Sequence, residues 1–386
     1  MDSVGNIIKK IAGWISKIFS VKDLKDAPTP KKTSPKSSEV KKEKPVERNA
    51  DIVIPSKTET KSKPQIEEKP KTEEKPKSKN TDKEDKSTGN ATGAVKIDPD
   101  YSNRKGYNPE FLSVKVPLPK IPKELQSQIA LTTEGAKKEL KYHHFSVVMN
   151  GERKMPFFTA VNIDGLSYEK LGDVPSRTEI GRDKWYLDPR IAKDKQLDDS
   201  FYGKNDFDIG HQVRREDALW GDTLEEALKA NNDTFHLTNA APQHKDLNRN
   251  AKRWLGLETY ALKNARKYGL KISVFTGPVF DDKDGVFNGV KIPDQFWKII
   301  VMIKDDGVPS ATGYIIQQND LIEDIVTRSF VYEQFETYQV AISEIEDLTK
   351  IKFGLNDYDP IQKKSTRSLT FEAHPERIDS FDKIEF

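Results

Sequence analysis

Residues 207–221 read FDIGHQVRREDALWG, followed by FHLTNAAPQ over 235–243 and DLNRNAKRWLGLE over 246–258. His211 stands three and four residues ahead of Arg214 and Arg215. Asn239 opens an Asn-Ala-Ala-Pro-Gln run, Asn248 comes nine positions later, and Glu258 ten after that. An imidazole that titrates near neutrality, amide and carboxylate oxygens, and guanidinium donors are the groups that move a proton, hold a hard cation and grip an anion. Taken singly, each has an ordinary structural reading. A lone histidine in a strand-like run packs in a core, an asparagine ahead of a helix caps it, and a helical glutamate faces solvent. The order of the whole set is what carries information.

Around this stretch the pattern is globular. Phe145 to Met149 and Phe157 to Ile163 have the short, apolar, β-branched character of strands, and Asn150-Gly151 supplies a turn after the first. Asp222-Thr223-Leu224-Glu225 predicts a capped helix running to about Ala230. Trp254, Leu255, Tyr260, Ala261, Leu262 and Ala265 predict a longer helix that stops near Gly269. Lys271 to Thr276, Phe296 to Ile303 and Ala311 to Ile316 predict three further strands, the first ended by Gly277-Pro278. Helices and strands in this irregular order point to an α+β fold with a mainly antiparallel sheet. No internal repeat is visible.

Toward the N-terminus the composition changes. Residues 21–94 are Lys, Glu, Pro, Ser and Thr with almost no large apolar side chains. Such a segment cannot bury enough surface to offset an ordering entropy of about 1–2 kcal/mol per residue, so a disordered linker is expected. Its charges largely cancel, which favours a solvated spacer over a nucleic-acid-binding tail. Ahead of it, Ile7, Ile8, Ile11, Trp14, Ile15, Ile18 and Phe19 recur at helical intervals with Lys9, Lys10 and Lys17 mostly between them, predicting an amphipathic helix over residues 1–20. The lysines interrupt any signal-peptide core or membrane span. A cytoplasmic location is expected, with the helix packed on the folded domain, lying on a membrane surface, or docked in a partner protein. A net charge of +2 excludes a polycation, so affinity for a polyanion must come from a local basic face. The absence of cysteine excludes disulfides, thiolate metal sites and cysteine nucleophiles.

The central stretch resembles the DNA/RNA non-specific endonuclease family, the ββα-metal or His-Me finger nucleases. Their Asp-Arg-Gly-His signature stands here as Asp208-Ile209-Gly210-His211. Gly106 to Leu112, His144 to Val148, Phe158 to Gly165 and Asp188-Pro189-Arg190-Ile191 resemble bacterial members in order and spacing, so the likeness covers roughly residues 105 to 360. The resemblance implies a nuclease domain over residues 95–386 that hydrolyses DNA and RNA backbones with Mg2+, or Mn2+ in its place, and little sequence preference. It makes His211 the general base, Asn248 the metal ligand, Glu258 a holder of metal-bound water and Asn239 an organiser of the site. Arg182, in GRDKWYLDP, resembles the upstream phosphate-binding arginine.

Two points stand apart from the family pattern. Ile209 occupies the place of an arginine expected to contact the scissile phosphate, leaving Arg182, Arg214 or Arg215 to compensate. This departure keeps open two rivals, a catalytically weakened nucleic-acid-binding derivative and an anchored scaffold that uses the domain as a binding module. Ten residues of unbroken helix rise about 15 Å, too far for Asn248 and Glu258 to touch one ion. Either the helix begins after Asn248 or Glu258 acts at one remove. The remaining histidines lack HExxH or paired-ligand spacing, which disfavours zinc, and His144 and His236 read as structural members of strand-like runs.

Overall fold

Strands dominate the computed structural model, which describes residues 95–203, 205–249, 254–318, 337–367 and 376–377. The helix expected at 1–20 and the linker expected at 21–94 lie outside the described residues. In chain order the elements are β1 (Leu140–Lys141), β2 (Phe145–Asn150), β3 (Met155–Asp164), α1 (Gly165–Lys170), α2 (Arg177–Ile180), β4 (Phe207–His211), α3 (Leu224–Asp233), β5 (Ala240–His244), α4 (Lys245–Asn248) and α5 (Trp254–Tyr268). There follow β6 (Lys271–Val279), β7 (Val286–Phe287), β8 (Val290–Lys291), β9 (Gln295–Ile303), β10 (Pro309–Gln317), β11 (Thr337–Val340), α6 (Ile342–Thr349), α7 (Pro360–Arg367) and β12 (Glu376–Arg377).

Eight strands form one sheet in the order β1-β2-β3-β6-β9-β10-β11-β12, with antiparallel neighbours throughout. The fold is α+β, as the element pattern implied. Side chains alternate across the sheet with period two, and both faces are covered. Phe275 of β6 and Trp297, Ile299 and Val301 of β9 pack on one side with Tyr107, Leu112, Val116, and Ile342 and Ile345 of α6. Val274 and Ile300 lie on the other with Leu257, Leu262 and Ala265 of α5. The β2–β3 hairpin forms where Asn150-Gly151 predicted it, with a register shift at Val148/Met149.

Several boundaries differ from the sequence reading. β6 does not stop at Gly277-Pro278 but runs on to Val279, pairing Gly277 with Trp297 and Pro278 with Phe296. Pairing with β3 ends at Thr276, so Pro278, which has no N–H to donate, sits where β6 has a neighbour on one side only. Gly277 is required there because a Cβ would come within 2.5 Å of the Phe157 carbonyl oxygen. α3 is capped by Thr223 rather than Asp222, its side chain accepting from the Glu226 N–H at 3.2 Å, and it extends past Ala230 to Asp233. α5 ends as expected at Gly269, whose φ of 62° lets the Leu270 and Gly269 N–H groups return to the carbonyls of Ala265 and Arg266.

β4 and β5 stand outside the large sheet as a separate antiparallel pair, and with α4 they make a ββα unit. Ala241 and Leu247 of this unit pack against Phe296 and Ile316. The buried Gln318 ties it down further, accepting from the His244 N–H at 2.9 Å and donating to the Pro242 and Pro293 carbonyls. No helix among the described residues is long and apolar enough to cross a membrane.

Candidate active site

His211 ends β4 opposite Ala240, and Asp208 lies opposite Gln243. Strand alternation puts His211 and Ile209 on one face and Asp208 and Gly210 on the other. Gly210 leaves room for the buried Gln243 side chain, which a Cβ would approach to 2.3 Å. Two aromatic rings hold the imidazole. Trp185 packs tilted against it at 4.4 Å between centroids, and Phe235 meets it edge-on at 5.1 Å. The residue is half-buried, but its Nε2 is sealed from solvent with no hydrogen-bond partner. Burial pushes the imidazole pKa down to about 3, helped by the charges of Arg215, Arg177 and Arg214 in that order. The ring is therefore a neutral base at any physiological pH.

Asn239 holds the backbone beyond His211. Its Oδ1 accepts from the Val213 N–H at 2.9 Å, and its Nδ2 donates to the Val213 and Thr234 carbonyls at 2.8 and 2.9 Å. The Asn239 carbonyl also accepts from the Gln212 N–H at 2.9 Å. The side chain is fully buried, and its hydrogen bonds go to the backbone of Val213 and Thr234.

Asn248 closes α4 and caps no helix start. Its Nδ2 donates to the Asp208 carboxylate at 3.0 Å, which leaves Oδ1 outside that bond. Arg249 donates to the same carboxylate through Nε at 2.8 Å. Asn248 Oδ1 and the Asp208 carboxylate are hard oxygen donors of the kind magnesium takes. Among the described residues no group of three or more His, Asp or Glu could hold a metal, so an ion here would draw the rest of its shell from water and substrate. No bond joins His211 to Asn248 among the described residues. Both reach β4, one as its last residue and the other through Asp208.

Glu258 stands elsewhere. Asn248 ends α4 and Glu258 lies in α5, so the two share no continuous helix. Glu258 is neither solvent-facing nor directed at Asn248. It is buried, with Lys298 Nζ of β9 at 3.2 Å and Arg214 Nε at 3.6 Å. The neighbouring Asp217 is buried too, and burial lifts its carboxyl to about 6. The role of holding metal-bound water expected for Glu258 is thus not reflected in its contacts, which brace α5 against the sheet.

The arginines separate by their ties. Arg214 is engaged by Glu216 at 2.6 Å as well as by Glu258, and Arg215 by Asp183 at 3.1 Å and Asn231 at 3.1 Å. Arg182 is exposed, and its carbonyl accepts from the Val95 N–H. Trp185 and Phe235 pack on His211, and the charge of Arg177 acts on it; none of the three was singled out from the sequence. Their signal was faint, an Arg and a Trp spaced through SRTEIGRDKW with no motif of their own. His144 sits in the turn before β2 at φ 67°, stacked on Trp220 at 3.6 Å. His236 is fully buried against Tyr101, its Nε2 2.7 Å from the phenol oxygen. Neither belongs to a strand, and both are held in structural contacts.

Residues 126–358 match the family model described as DNA/RNA non-specific endonuclease. The chain is 36% identical over 298 residues to y4fB, an uncharacterized protein of Sinorhizobium fredii, covering 72% of this chain and 44% of that one. It is 31% identical over 167 residues to human mitochondrial endonuclease G, covering 40% of this chain and 50% of that one. To a protein of Nostoc sp. named Nuclease it is 26% identical over 157 residues, covering 41% and 54%. The chain thus spans about half the length of the curated relatives it matches. A chain from the crystal structure of an EndoG/EndoGI complex aligns with a TM-score of 0.44 at 20% identity, covering 59% of this chain and 89% of that one.

Proposed function

The chain belongs to the DNA/RNA non-specific endonuclease family, and from that membership we propose that it is a metal-dependent endonuclease with His211 as general base and Asn248 as metal ligand. The observation that carries this reading is the His211 Nε2, a sealed ring nitrogen kept neutral and left without a protein partner. A buried polar atom left unbonded costs about 1–3 kcal/mol, a cost that a histidine with a purely structural role would be expected to avoid by pairing. Substrate phosphate brought near Arg177, Arg214 and Arg215 offsets their charge and raises the imidazole pKa toward the range in which it takes a proton readily. Asn239 fixes the chain after His211 so that the ring keeps its direction. Asn248 Oδ1, with the Asp208 carboxylate beside it, would hold Mg2+ or Mn2+. When bound, the ion supplies neutralisation of charge on the phosphoryl oxygens and leaving group.

DNA and RNA are both substrates in this reading, because phosphate contacts carry no sequence information. The rival favoured by Ile209 is a weakened derivative that binds nucleic acid without turning it over.

Purified protein incubated with plasmid and with RNA, in magnesium or in chelator, decides between them. Magnesium-dependent nicking of both, lost in His211→Ala and in Asn248→Ala with the fold intact, is the expected result. Robust cleavage in chelator, or near-normal rates in His211→Ala, would overturn the mechanism.

A further inference from the structure

Ile209 leaves the His211 face of β4 without an arginine, yet a guanidinium from another element is held close to that face. Arg177 opens α2, whose start is fixed by a capping box in which Glu179 accepts from the Ser176 N–H at 2.8 Å and from its hydroxyl at 2.6 Å. The Arg177 side chain is 65% exposed and donates through Nη2 to one carboxylate oxygen of Asp183. The other oxygen of Asp183 accepts from Arg215 Nη1 at 3.1 Å. Arg215 is buried, bonded through Nε to Asn231 and laid over the Phe235 ring at 5.4 Å. Phe235 is the ring that meets His211 edge-on, and Trp185, two residues beyond Asp183, packs against both the imidazole and Phe235. Asp183 is therefore anchored on both sides to the walls of the His211 site, and it carries Arg177 with it.

The other arginines are worse placed. Arg214 and Arg215 are largely enclosed: carboxylates and Asn231 engage them, and the nitrogens left unbonded, Arg214 Nη1 and Arg215 Nη2, are buried away from solvent. Arg249 is exposed, but its Nε and Nη2 are both spent on the Asp208 carboxylate. Arg177 keeps most of its five N–H donors available while its position is set by one carboxylate, the arrangement that suits a planar grip on a phosphate.

We propose that Arg177, held by Asp183, contacts the phosphate on which His211 acts and supplies the charge-assisted donor that Ile209 does not. Arg177 is a substrate-binding residue in this scheme and Asp183 a positioning residue. The inference rests on the nuclease reading above, and its test has an arm independent of cleavage.

Cleavage of a short DNA duplex is measured for wild type, Arg177→Ala, Arg177→Lys and Arg177→Ala/Ile209→Arg. Binding of the same duplex is followed by fluorescence anisotropy in the His211→Ala background over a range of salt. Arg177→Ala should lower kcat/KM about 10- to 100-fold with an unchanged Tm, Arg177→Lys should fall between it and wild type, and Ile209→Arg should restore part of the loss. In the binding arm the log–log salt slope should shrink by about 0.9, one phosphate contact. Arg177→Ala within twofold of wild type in both arms overturns the proposal. So does a loss of activity with an unchanged salt slope and no recovery by Ile209→Arg, which would make the effect structural. A wild type that never cleaves would strike the nuclease reading instead, and the salt slope would still decide Arg177.

Discussion

On β3, β6 and β9 of the central sheet, polar side chains are bonded, although Ser310 Oγ, Thr312 Oγ1 and Tyr314 Oη of the neighbouring β10 are buried without a hydrogen bond. Asn162 Nδ2 donates to Ser273 Oγ at 3.1 Å, Thr159 Oγ1 to the Thr276 carbonyl at 3.3 Å, and Lys298 Nζ to Thr276 Oγ1 at 2.7 Å. In the β4–β5 unit and the loop after it, His211 Nε2, Gln212 Oε1, both polar atoms of the Gln243 amide, Arg214 Nη1 and Arg215 Nη2 are buried without a hydrogen bond. Buried polar groups are bonded in the great majority of cases, and each exception calls for an explanation. The contrast divides the molecule: β3, β6 and β9 hold the fold through satisfied pairs, while the small hairpin and the loop after it carry buried donors and acceptors that no protein group satisfies.

Substitution in each region should separate the two roles, and the largest effect is expected at the base. His211→Ala should reduce kcat by roughly 10²- to 10⁴-fold while chemical denaturation finds the protein about as stable as wild type, because the deleted nitrogen had no partner to lose. Trp297→Ala, in the fully buried core of β9, should instead cost about 3–5 kcal/mol of stability. A destabilised His211→Ala, or a Trp297→Ala of normal stability, would break the comparison.

Glu258 sharpens it, because this residue belongs to the sheet's side of the division despite its place in the motif region. Glu258→Ala leaves Lys298, only 2% exposed, without its carboxylate. Removing one partner of a buried pair costs about 3–5 kcal/mol, whereas replacing both by apolar groups is often close to neutral. Urea titrations of Glu258→Ala, Lys298→Met and the double variant should therefore show the double recovering most of the loss. Additive losses would mean that the two charges are not coupled.

The parts of this protein that could be read from sequence are those where a local pattern decides the outcome. The short apolar, β-branched runs of β2, β3, β6, β9 and β10 and the glycine at 269 all survive folding, because strand propensity and helix-terminus chemistry are set within a few residues. What escaped was set by distant partners. Lys298 interrupts the apolar run QFWKIIVMI, and only the approach of α5 shows why a lysine is buried there. Pro278 stays in β6 because β3 has already ended beside it. Glu258 was assigned by its correspondence to the family pattern, and its pairing with Lys298 and Arg214 comes from tertiary contacts that the sequence does not announce. Trp185 and Phe235 reach His211 through tertiary packing that no spacing announces, and Arg177 is tied to the same wall through Asp183.

The smallest effect expected is in the pH dependence, and here the two regions pull in opposite directions. His211 has a native pKa of about 3 against 6.5 when unexposed to the fold, so the unfolded chain binds its proton first. Its contribution to stability is complete above pH 6.5 and declines as pH falls toward 3. Asp217, with a native value of about 6 against 3.8, binds its proton more tightly when folded, so its contribution is complete below pH 3.8 and is lost as pH rises through 6. Between these limits each group contributes a slope of at most about 1.4 kcal/mol per pH unit, of opposite sign, and the wild-type curve should be flatter than either alone. Comparing variants isolates them. Relative to wild type, His211→Ala should gain stability as pH falls from 6.5 to 4, and Asp217→Asn should gain it as pH rises from 4 to 6.5, each read from urea midpoints. For the active protein, kcat/KM reports the free enzyme's base, so its acid limb should lie well below pH 6.5. An acid limb at 6.5, together with an unchanged stability difference in His211→Ala, would show that the imidazole is solvated and bonded like an ordinary surface histidine, and the sealed nitrogen on which the hairpin's role depends would be lost.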